Sequence, residues 1–346
     1  MHLLIVGAGA IGSFVGGRLA LAGHDVTLVG RSSTVDAIRS RGLRLTEMGK
    51  TLSVPTITAE SSVADAFSQA RGYDLACLTV KSYDTAAAIV ELAAATSEPP
   101  TVLTLQNGVG NEERLAESLG RSAVISGTIT TPVELPEPGS VIVARSGSIG
   151  LAPLGDSGAV LTAATALRAA GFRVRLYGDY RSLKWSKLLM NILGNAVCAI
   201  LDWEPTRVFS DMRLCALESA ALREGLAVVR DQGIRLARVG AYPVPLLVPL
   251  LSGLAPGLLQ PLLKRFVGEA RGGKMPSLHM DLSRGKGRSE VDVLNGAIVH
   301  AGSACDVRVP ANSALHRVLQ RLAGGEVAWS EYRGQPEHLL REVGLS

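Results

Sequence analysis

The chain has 346 residues, of which 47% are hydrophobic and 19% are charged, and its formal net charge at pH 7 is +4. This length is more than one hydrophobic core usually serves, so two domains are predicted, and the composition excludes a disordered chain. Residues of both signs are interleaved, without a basic run or an aromatic-basic face. We therefore expect no nucleic-acid partner.

The four cysteines are scattered along the chain, without a C-x-x-C pair or a histidine at metal-ligand spacing. We interpret them as buried apolar residues of a protein in a reducing compartment, and we predict no metal site. The chain starts directly with an apolar strand, which argues against a cleaved signal peptide. A cytoplasmic protein is therefore expected.

A dinucleotide-binding motif stands at the start of the chain. An apolar strand that ends at Val6 runs into G-x-G-x-x-G, which is formed by Gly7, Ala8, Gly9, Ala10, Ile11 and Gly12. The first glycine permits a tight turn, the second lets the backbone approach a pyrophosphate, and the third lets a helix pack on the strand. A helix over Ser13–Leu21 and a second strand over Asp25–Val29 are predicted to follow, with the pyrophosphate on the helix N-terminus.

The end of the second strand predicts the cofactor. A site for NAD carries Asp or Glu there to accept a hydrogen bond from the ribose 2′-hydroxyl, whereas this chain has Gly30-Arg31-Ser32-Ser33. A guanidinium can bind a 2′-phosphate at two points, and a carboxylate would repel it. We predict that Arg31 binds the 2′-phosphate of NADP(H); the alternative is that Arg31 is a solvated loop residue.

Strand and helix signals alternate through the rest of the first half, as in a parallel sheet. The predicted strands are Asp74–Val80, Thr101–Gln106, Ala123–Gly127 and Arg173–Tyr177, and the predicted helices are Tyr83–Ala95, Asn111–Leu119 and Ala159–Ala170. Two shorter strands around Gly147, Ser140–Ala144 and Ser148–Ala152, are predicted to form a hairpin.

From Tyr180 onward the pattern changes to long helical periodicity. Helices are predicted at Leu183–Leu201, Thr206–Gln232, Leu294–Ser303 and Ala311–Leu322. The predicted fold is an α/β Rossmann-type NADP-binding domain at residues 1–178, followed by an all-α substrate-binding and catalytic domain at residues 179–346.

An apolar segment at residues 241–263 does not fit a compact helical domain, because it carries five prolines. These prolines remove too many helical hydrogen bonds for a lipid-exposed helix, so stable membrane insertion is not expected. We favour a broken helical segment that packs on its own domain or on a subunit partner, which leaves a homodimer open. The alternatives are an apolar lid over the active site and a patch that touches a membrane. Residues 271–274 close the segment and are expected to be mobile.

Three polar residues, Lys187, Asn191 and Asn195, fall at i, i+4 and i+8 of an otherwise apolar segment. This spacing predicts that they share one face of a helix. Buried polar groups are costly unless they are paired, and a substrate carboxylate or carbonyl would pair with them. The alternative is that they bond to the backbones of other helices. A lysine suits the reduction of a ketone, because hydride transfer leaves an alkoxide that needs a proton.

A second polar cluster occurs at Ser289–Gly296. Val291 and Leu294 are expected to face the core, which leaves Glu290 beside a neighbouring helix that carries a lysine. By itself this segment indicates only a helix start, capped by Ser289 or Ser283.

Together these segments resemble the ketopantoate reductase (2-dehydropantoate 2-reductase) family over nearly the whole chain. The matching pieces are Gly7–Gly12 with Arg31, Thr79–Lys81, Leu105–Gly110, Trp185–Asn195, and Ser277 with Glu290–Gly296. The resemblance implies the NADPH-dependent reduction of 2-dehydropantoate to (R)-pantoate, on the way to coenzyme A.

The resemblance also implies a role for each site residue. Lys187 would be the general acid, and Glu290 would bond the cofactor ribose and help set the state of the lysine. Lys81 would contact the cofactor, and Asn107 would reach both the nicotinamide ribose and the substrate. The substrate's hydroxyl and carboxylate would be held by Asn191, Asn195 and Ser277.

Two departures from the family pattern concern the substrate. Asp202–Pro205 occupies a stretch where the family often has another substrate-binding Asn, and the apolar segment is longer than in compact members. Ketopantoate is the favoured substrate. One alternative is a paralogue with the same mechanism that reduces another 2-ketoacid or ketone. The other is a non-catalytic NADP(H)-binding sensor or scaffold.

Overall fold

The computed structural model describes residues 1–70, 72–155, 157–268 and 274–344. The chain separates into two compact units, Met1–Lys184 and Trp185–Ser346. The first unit is α/β and the second is helical, so the predicted fold class is confirmed. The stretch at 271–273, which was expected to be mobile, lies outside the described residues.

The strands of the first unit come in two sets. They are β1 (His2–Val6), β2 (Asp25–Val29), β3 (Leu43–Glu47), β4 (Lys50–Val54), β5 (Ile57–Glu60), β6 (Leu75–Leu78), β7 (Thr101–Thr104), β8 (Val124–Ile129), β9 (Val133–Glu137), β10 (Ser140–Val143), β11 (Ile149–Pro153) and β12 (Val174–Leu176). The helices are α1 (Ala10–Leu21), α2 (Ser32–Arg41), α3 (Val63–Gln69), α4 (Thr85–Ala95), α5 (Asn111–Leu119) and α6 (Ser157–Ala169). The division between the units falls within α7 (Tyr180–Ile192).

The main sheet has eight strands in the order β12-β11-β8-β7-β6-β1-β2-β5. Neighbouring strands are parallel except at the β11–β8 pair. Both faces of the sheet are covered: Leu3 and Ile5 of β1 belong to one apolar cluster, and Leu4 and Val6 belong to another. This burial explains why β1 is apolar at successive positions, as strands of parallel sheets usually are.

The hairpin predicted around Gly147 is wrong. β10 pairs with β3 and β9 in a separate four-stranded sheet of order β4-β3-β10-β9, whereas β11 pairs with β8 and β12 in the main sheet. A Cβ atom on Gly147 would lie 2.4 Å from the amide nitrogen of Thr131. Gly147 is therefore a point of close backbone approach, and the two strands take their partners from distant segments.

The helices of the second unit follow α7 in chain order. They are α8 (Ala196–Leu201), α9 (Pro205–Val208), α10 (Met212–Asp231), α11 (Val244–Gly253), α12 (Pro256–Leu263), α13 (Ser277–Ser283), α14 (Asn295–Ala304), α15 (Pro310–Gly324) and α16 (Pro336–Val343). Two predicted helices are each broken in two. Gly194, at a φ of 60°, separates α7 from α8, and the side chain of Asp211 caps a new helix start by accepting a hydrogen bond from the amide of Arg213.

The apolar segment forms α11 and α12, each of which has a proline in its first turn. Both helices pack against α10 of the same unit, which confirms a broken helical segment packed on its own domain. Their other side leaves Leu246, Leu250 and Leu258 exposed. In the described part of the chain, none of the helices has the length and apolar character needed to cross a membrane.

The cysteines are mostly interior residues. Cys77, Cys198 and Cys215 are buried and Cys305 is partly exposed. Burial raises the pKa of the Cys77 and Cys215 thiols to about 12, which makes them poor nucleophiles. Within the described ranges, no three His, Cys, Asp or Glu side chains are grouped as metal ligands.

Candidate active site

The carboxyl ends of four neighbouring strands meet at one edge of the main sheet. Val6 pairs with Val29 of β2 and with Leu78 of β6, and Leu78 pairs with Thr104 of β7, so these strands end level with one another. In open parallel sheets, ligands bind at this edge. Each strand end is followed by a predicted cofactor residue: Gly7, Arg31, Lys81 or Asn107.

The glycine turn after β1 leaves room for a ligand at one position only. Gly7 has a φ of 112°, and a Cβ atom there would lie 2.7 Å from the amide nitrogen of Val80. A Cβ atom on Gly12 would lie 2.1 Å from the Gly7 carbonyl oxygen. A Cβ atom on Gly9 would meet no other described atom within 4 Å. Gly7 and Gly12 are thus required by packing, and Gly9 faces open space that suits a pyrophosphate.

Thr79, which follows β6, holds this turn in place. Its hydroxyl donates to the Gly7 carbonyl oxygen at 2.8 Å, and its amide donates to the Val6 carbonyl oxygen at 2.9 Å. Helix α1 then starts at Ala10, with Gly9 as its N-cap. The first amides of a helix are not used within it and favour a bound anion. The turn therefore has the shape and the donors that a dinucleotide pyrophosphate needs.

Arg31 lies at the N-cap position of α2, directly after β2. Its carbonyl oxygen accepts hydrogen bonds from the amides of Thr34 and Val35, while Arg31, Ser32 and Ser33 are exposed. The first turn of α2 contains no acidic residue. A guanidinium, two hydroxyl side chains and a helix N-terminus are thus together at the end of β2, a set that fits a phosphate.

Lys81 and Asn107 lie in loops that are held by buried polar side chains. Lys81 is the N-cap of a short 3-10 turn at Ser82–Asp84. The Asn107 carbonyl oxygen accepts a hydrogen bond from the Asn111 amide group at 3.0 Å, and the Gln106 carbonyl oxygen accepts one from Lys184 Nζ at 2.7 Å. Lys184 and Asn111 were not predicted to belong to the site. A single polar residue in the sequence does not show that its side chain is buried or which group it contacts.

Lys187 and Asn191 share one face of α7, but Asn195 does not. Helix α7 ends at Ile192, and the left-handed conformation of Gly194 turns the chain before Asn195. The prediction that all three share one helix face is therefore wrong for Asn195. Its amide group donates to the Asn191 carbonyl oxygen at 3.1 Å, and its Oδ1 accepts from the amide of Leu278 at 3.2 Å.

The contact from Asn195 fixes the start of α13, whose first residue is Ser277. Asn195 and Ser277, which are far apart in sequence, are thereby brought to one place in the second unit.

Glu290 is a buried residue, only 4% exposed, at the start of a short 3-10 turn at Glu290–Val293. The Ser289 hydroxyl caps that turn by accepting a hydrogen bond from the Val291 amide. The expected burial of Val291 and Leu294 is confirmed.

Asp202 begins the stretch at residues 202–205 that was singled out as a departure from the family pattern, and its carboxylate is held by two basic side chains. His279 Nε2 lies 2.6 Å from Oδ1, and Arg333 Nε donates to Oδ2 at 2.5 Å. Burial raises the pKa of Asp202, but the hydrogen bonds from His279 and Arg333 outweigh burial and hold the pKa below its ordinary value of 3.8. Asp202 therefore serves as a structural contact to α13 and to the C-terminal region.

We predict that Asp202→Asn lowers the free energy of unfolding at pH 7 by about 1–3 kcal/mol, because the hydrogen bonds it weakens involve charged groups. Asparagine tolerates the left-handed φ of 54° at this position. Since the folded-state pKa lies below the unfolded one, the stability that the carboxylate contributes is complete above about pH 4 and is lost at lower pH. Urea unfolding from pH 3 to 7 should show the difference between the two proteins shrinking only at acid pH. A difference independent of pH would contradict this assignment.

Comparison with known proteins places both units in one family. A family described as "Ketopantoate reductase PanE/ApbA" matches residues 3–156, and its C-terminal counterpart, "Ketopantoate reductase PanE/ApbA C terminal", matches residues 179–323. The chain is 32% identical to the 2-dehydropantoate 2-reductase of Pyrococcus horikoshii, over 94% of this chain and 99% of that protein. It is 30% identical to that of Archaeoglobus fulgidus, over 93% and 97%.

Solved structures with the same fold include a PanE/ApbA family ketopantoate reductase from Ralstonia eutropha JMP134. It has a TM-score of 0.80 and 33% identity, and the match covers 94% of this chain and 99% of that one. A D-mandelate dehydrogenase, solved with NADH and anilino(oxo)acetate, has a TM-score of 0.78 and 24% identity over 94% and 99% of the two chains. The second likeness concerns the fold alone.

Proposed function

The chain belongs to the ketopantoate reductase family of dinucleotide-dependent oxidoreductases, and we propose that it reduces 2-dehydropantoate to (R)-pantoate with NADPH. The observation that carries this proposal is its full-length similarity to proteins named 2-dehydropantoate 2-reductase. The arrangement of the sheet edge supports it, because the glycine turn, Arg31, Lys81 and Asn107 follow adjacent strand ends. The product would serve pantothenate and coenzyme A biosynthesis.

Most contacts to the cofactor are assigned to the first unit. The first turn of α1 would hold the pyrophosphate over Gly9, and Arg31 with the start of α2 would hold the 2′-phosphate. Lys81 would contact the cofactor, and Asn107 would reach the nicotinamide ribose and the substrate. The bound NADPH supplies a hydride to the ketone carbon.

Proton transfer and substrate binding are assigned to the second unit. Lys187 would donate a proton to the oxygen of the reduced ketone, and Glu290 would bond the cofactor ribose and influence the protonation of Lys187. Asn191, Asn195 and Ser277 would bind the substrate's hydroxyl and carboxylate. An amide nitrogen carries two hydrogens, so Asn195 can donate to the Asn191 carbonyl oxygen and to the substrate as well.

Reduction of a different 2-ketoacid is the second candidate function. The observation that favours it is that the Asp202 carboxylate is bonded to His279 and Arg333. Asp202 therefore cannot take the substrate-binding part that an Asn in this stretch would have. The fold does not decide between the two candidates, because one fold can serve several substrates.

The deciding experiment follows the absorbance of NADPH with ketopantoate and with a panel of branched and apolar 2-ketoacids. We expect a kcat/KM of about 10⁴ M⁻¹s⁻¹ or more for ketopantoate. Weak turnover of ketopantoate with a higher value elsewhere in the panel would favour the second candidate. Tight binding of NADPH without turnover of any acid would favour the non-catalytic sensor.

We predict that Arg31→Asp raises the dissociation constant for NADPH about 100-fold, because it removes a charge-assisted pair and places a carboxylate beside the 2′-phosphate. The dissociation constant for NADH should change little, since NADH lacks that phosphate. Nicotinamide fluorescence measures both constants. Arg41→Asp is the matched control, because it makes the same charge change at the opposite end of α2. Equal weakening of NADPH and NADH binding by Arg31→Asp would contradict the assignment.

A further inference from the structure

The two peptide groups that flank Asn107 are both held by buried side chains. The Gln106 carbonyl oxygen accepts a hydrogen bond from Lys184 Nζ at 2.7 Å. The Asn107 carbonyl oxygen accepts one from the Asn111 amide group at 3.0 Å and one from the Ser82 hydroxyl at 3.3 Å. Because these peptide planes are fixed on both sides, the backbone dihedral angles of Asn107 are fixed, and so is the direction in which its side chain leaves the loop.

Lys184 forms a buried ion pair. Its Nζ lies 2.9 Å from Glu112 Oε1, and the side chains of Lys184 and Glu112 are only 2% and 1% exposed. The Ser126 hydroxyl donates to the same carboxylate oxygen at 2.8 Å. A buried ion pair is often no more stable than apolar residues of the same size. Stability alone therefore gives a weak reason for this pair, whereas the hydrogen bond to the loop gives a specific one.

The same polar network extends to the loop that carries Lys81. The Gln106 amide group donates to the Val80 carbonyl oxygen and to the Thr85 hydroxyl, each at 2.9 Å. The Thr85 hydroxyl lies 3.2 Å from Asn111 Oδ1. The peptide group before Lys81 and the two around Asn107 are thus joined through Gln106, Thr85 and Asn111.

We propose that Lys184 and Asn111 are positioning residues that orient the Asn107 carboxamide by holding the peptide groups on its two sides. This inference rests on the proposed function, in which Asn107 contacts the nicotinamide ribose and the substrate. Lys184 and Asn111 act through Asn107 and touch neither ligand. Displacement of a reacting group by about 1 Å can lower a rate about 100-fold, so loss of this support is measurable.

A double-mutant cycle between Asn111→Asp and Asn107→Ala tests the inference. The aspartate has the size of asparagine and can still accept from Thr85, but as a carboxylate it repels the Asn107 carbonyl oxygen. We expect Asn111→Asp to lower kcat/KM about 10- to 100-fold and to have little further effect in the Asn107→Ala background. A purely structural role would lower the melting temperature and give the same loss in both backgrounds.

Two further variants complete the design. Ser126→Ala is the matched control: it removes one buried hydrogen bond to Glu112 but none to the loop, so kcat/KM should stay within about twofold of the wild type. The double variant Lys184→Met/Glu112→Leu removes both charges of the ion pair, and it carries the test if Asn111→Asp does not fold. Its loss of kcat/KM should likewise disappear in the Asn107→Ala background.

The cycle is measured on kcat/KM and on the dissociation constant for NADPH, because the second readout does not depend on the identity of the ketoacid. If the wild type reduces no 2-ketoacid, the proposed function fails, and the cycle on NADPH binding still decides the inference. Losses that are independent of Asn107, or an Asn111→Asp variant as active as the wild type, would overturn it. Losses that vanish with Asn107→Ala would support it.

Discussion

Replacing Lys187 by alanine is expected to lower kcat for the reduction of the 2-ketoacid by about 10²–10⁴-fold, the usual contribution of a positioned general acid. Without the ammonium group, the alkoxide that forms at the ketone oxygen must take its proton from water. The dissociation constant for NADPH should change by less than about threefold, because the residues assigned to the cofactor phosphates all precede Lys187 in the first unit. Steady-state kinetics and nicotinamide fluorescence measure the two quantities.

Lys264→Ala is the control for this substitution, since it removes an exposed lysine of the same unit that has no proposed role. It should leave both kcat and NADPH affinity near the wild-type values. If Lys187→Ala weakened NADPH binding as much as it lowered kcat, Lys187 would be a cofactor ligand and not the acid. If the wild type binds NADPH but reduces none of the 2-ketoacids, Lys187 is not a general acid for their reduction, and the result favours the non-catalytic sensor.

The parts of the fold that could be predicted are those with local signals. The strand, glycine turn and helix from His2 to Leu21 follow one another within a short stretch, so their order alone predicts a dinucleotide-binding unit. The same holds for α5 (Asn111–Leu119), whose predicted bounds match the structure. The broken helical segment that forms α11 and α12 was also predicted, because its prolines interrupt helical hydrogen bonding.

The errors concern features that depend on distant partners. β10 and β11 are adjacent in sequence, but β10 pairs with β3, which lies near the start of the chain. Alternation of apolar residues predicts a strand but does not identify the strand with which it pairs. The break at Gly194 was missed for a related reason: a lone glycine inside an apolar helical pattern is often tolerated. Here a Cβ atom on Gly194 would lie 3.0 Å from the Phe209 ring, and its φ is positive.

The residues of the candidate site fall into the same two groups: those with a local signal in the sequence and those that depend on distant partners. Arg31 was named from its place at a strand end, Lys187 from its spacing in an apolar helical segment, and Ser277 only from the family resemblance. Lys184, which holds the loop of Asn107, was not predicted, because it lies 78 positions from its partner Gln106. Nothing in the local pattern indicates that the ammonium group of Lys184 is buried against Glu112.

Replacing Lys184 by methionine alone is expected to lower the free energy of unfolding by about 3–5 kcal/mol, the usual cost of leaving one member of a buried ion pair without the other. Glu112, with its side chain 1% exposed, would lose its charged partner and keep the hydrogen bond from the Ser126 hydroxyl. Urea unfolding at pH 7 measures the loss. Arg213→Met is the matched control, because its ion pairs with Asp211 and Glu337 lie at the surface and its loss should leave the free energy of unfolding nearly unchanged.

The double variant Lys184→Met/Glu112→Leu separates the stability of the ion pair from its use. With both charges gone, the free energy of unfolding should return to within about 1 kcal/mol of the wild type or exceed it. If Lys184 orients Asn107, the reduction rate stays low in this stable protein, since the Gln106 carbonyl oxygen still lacks the ammonium group that holds it. A double variant as unstable as Lys184→Met would show that packing, and not the buried charge, accounts for the loss. A double variant that is both stable and fully active would leave the ion pair without a part in catalysis.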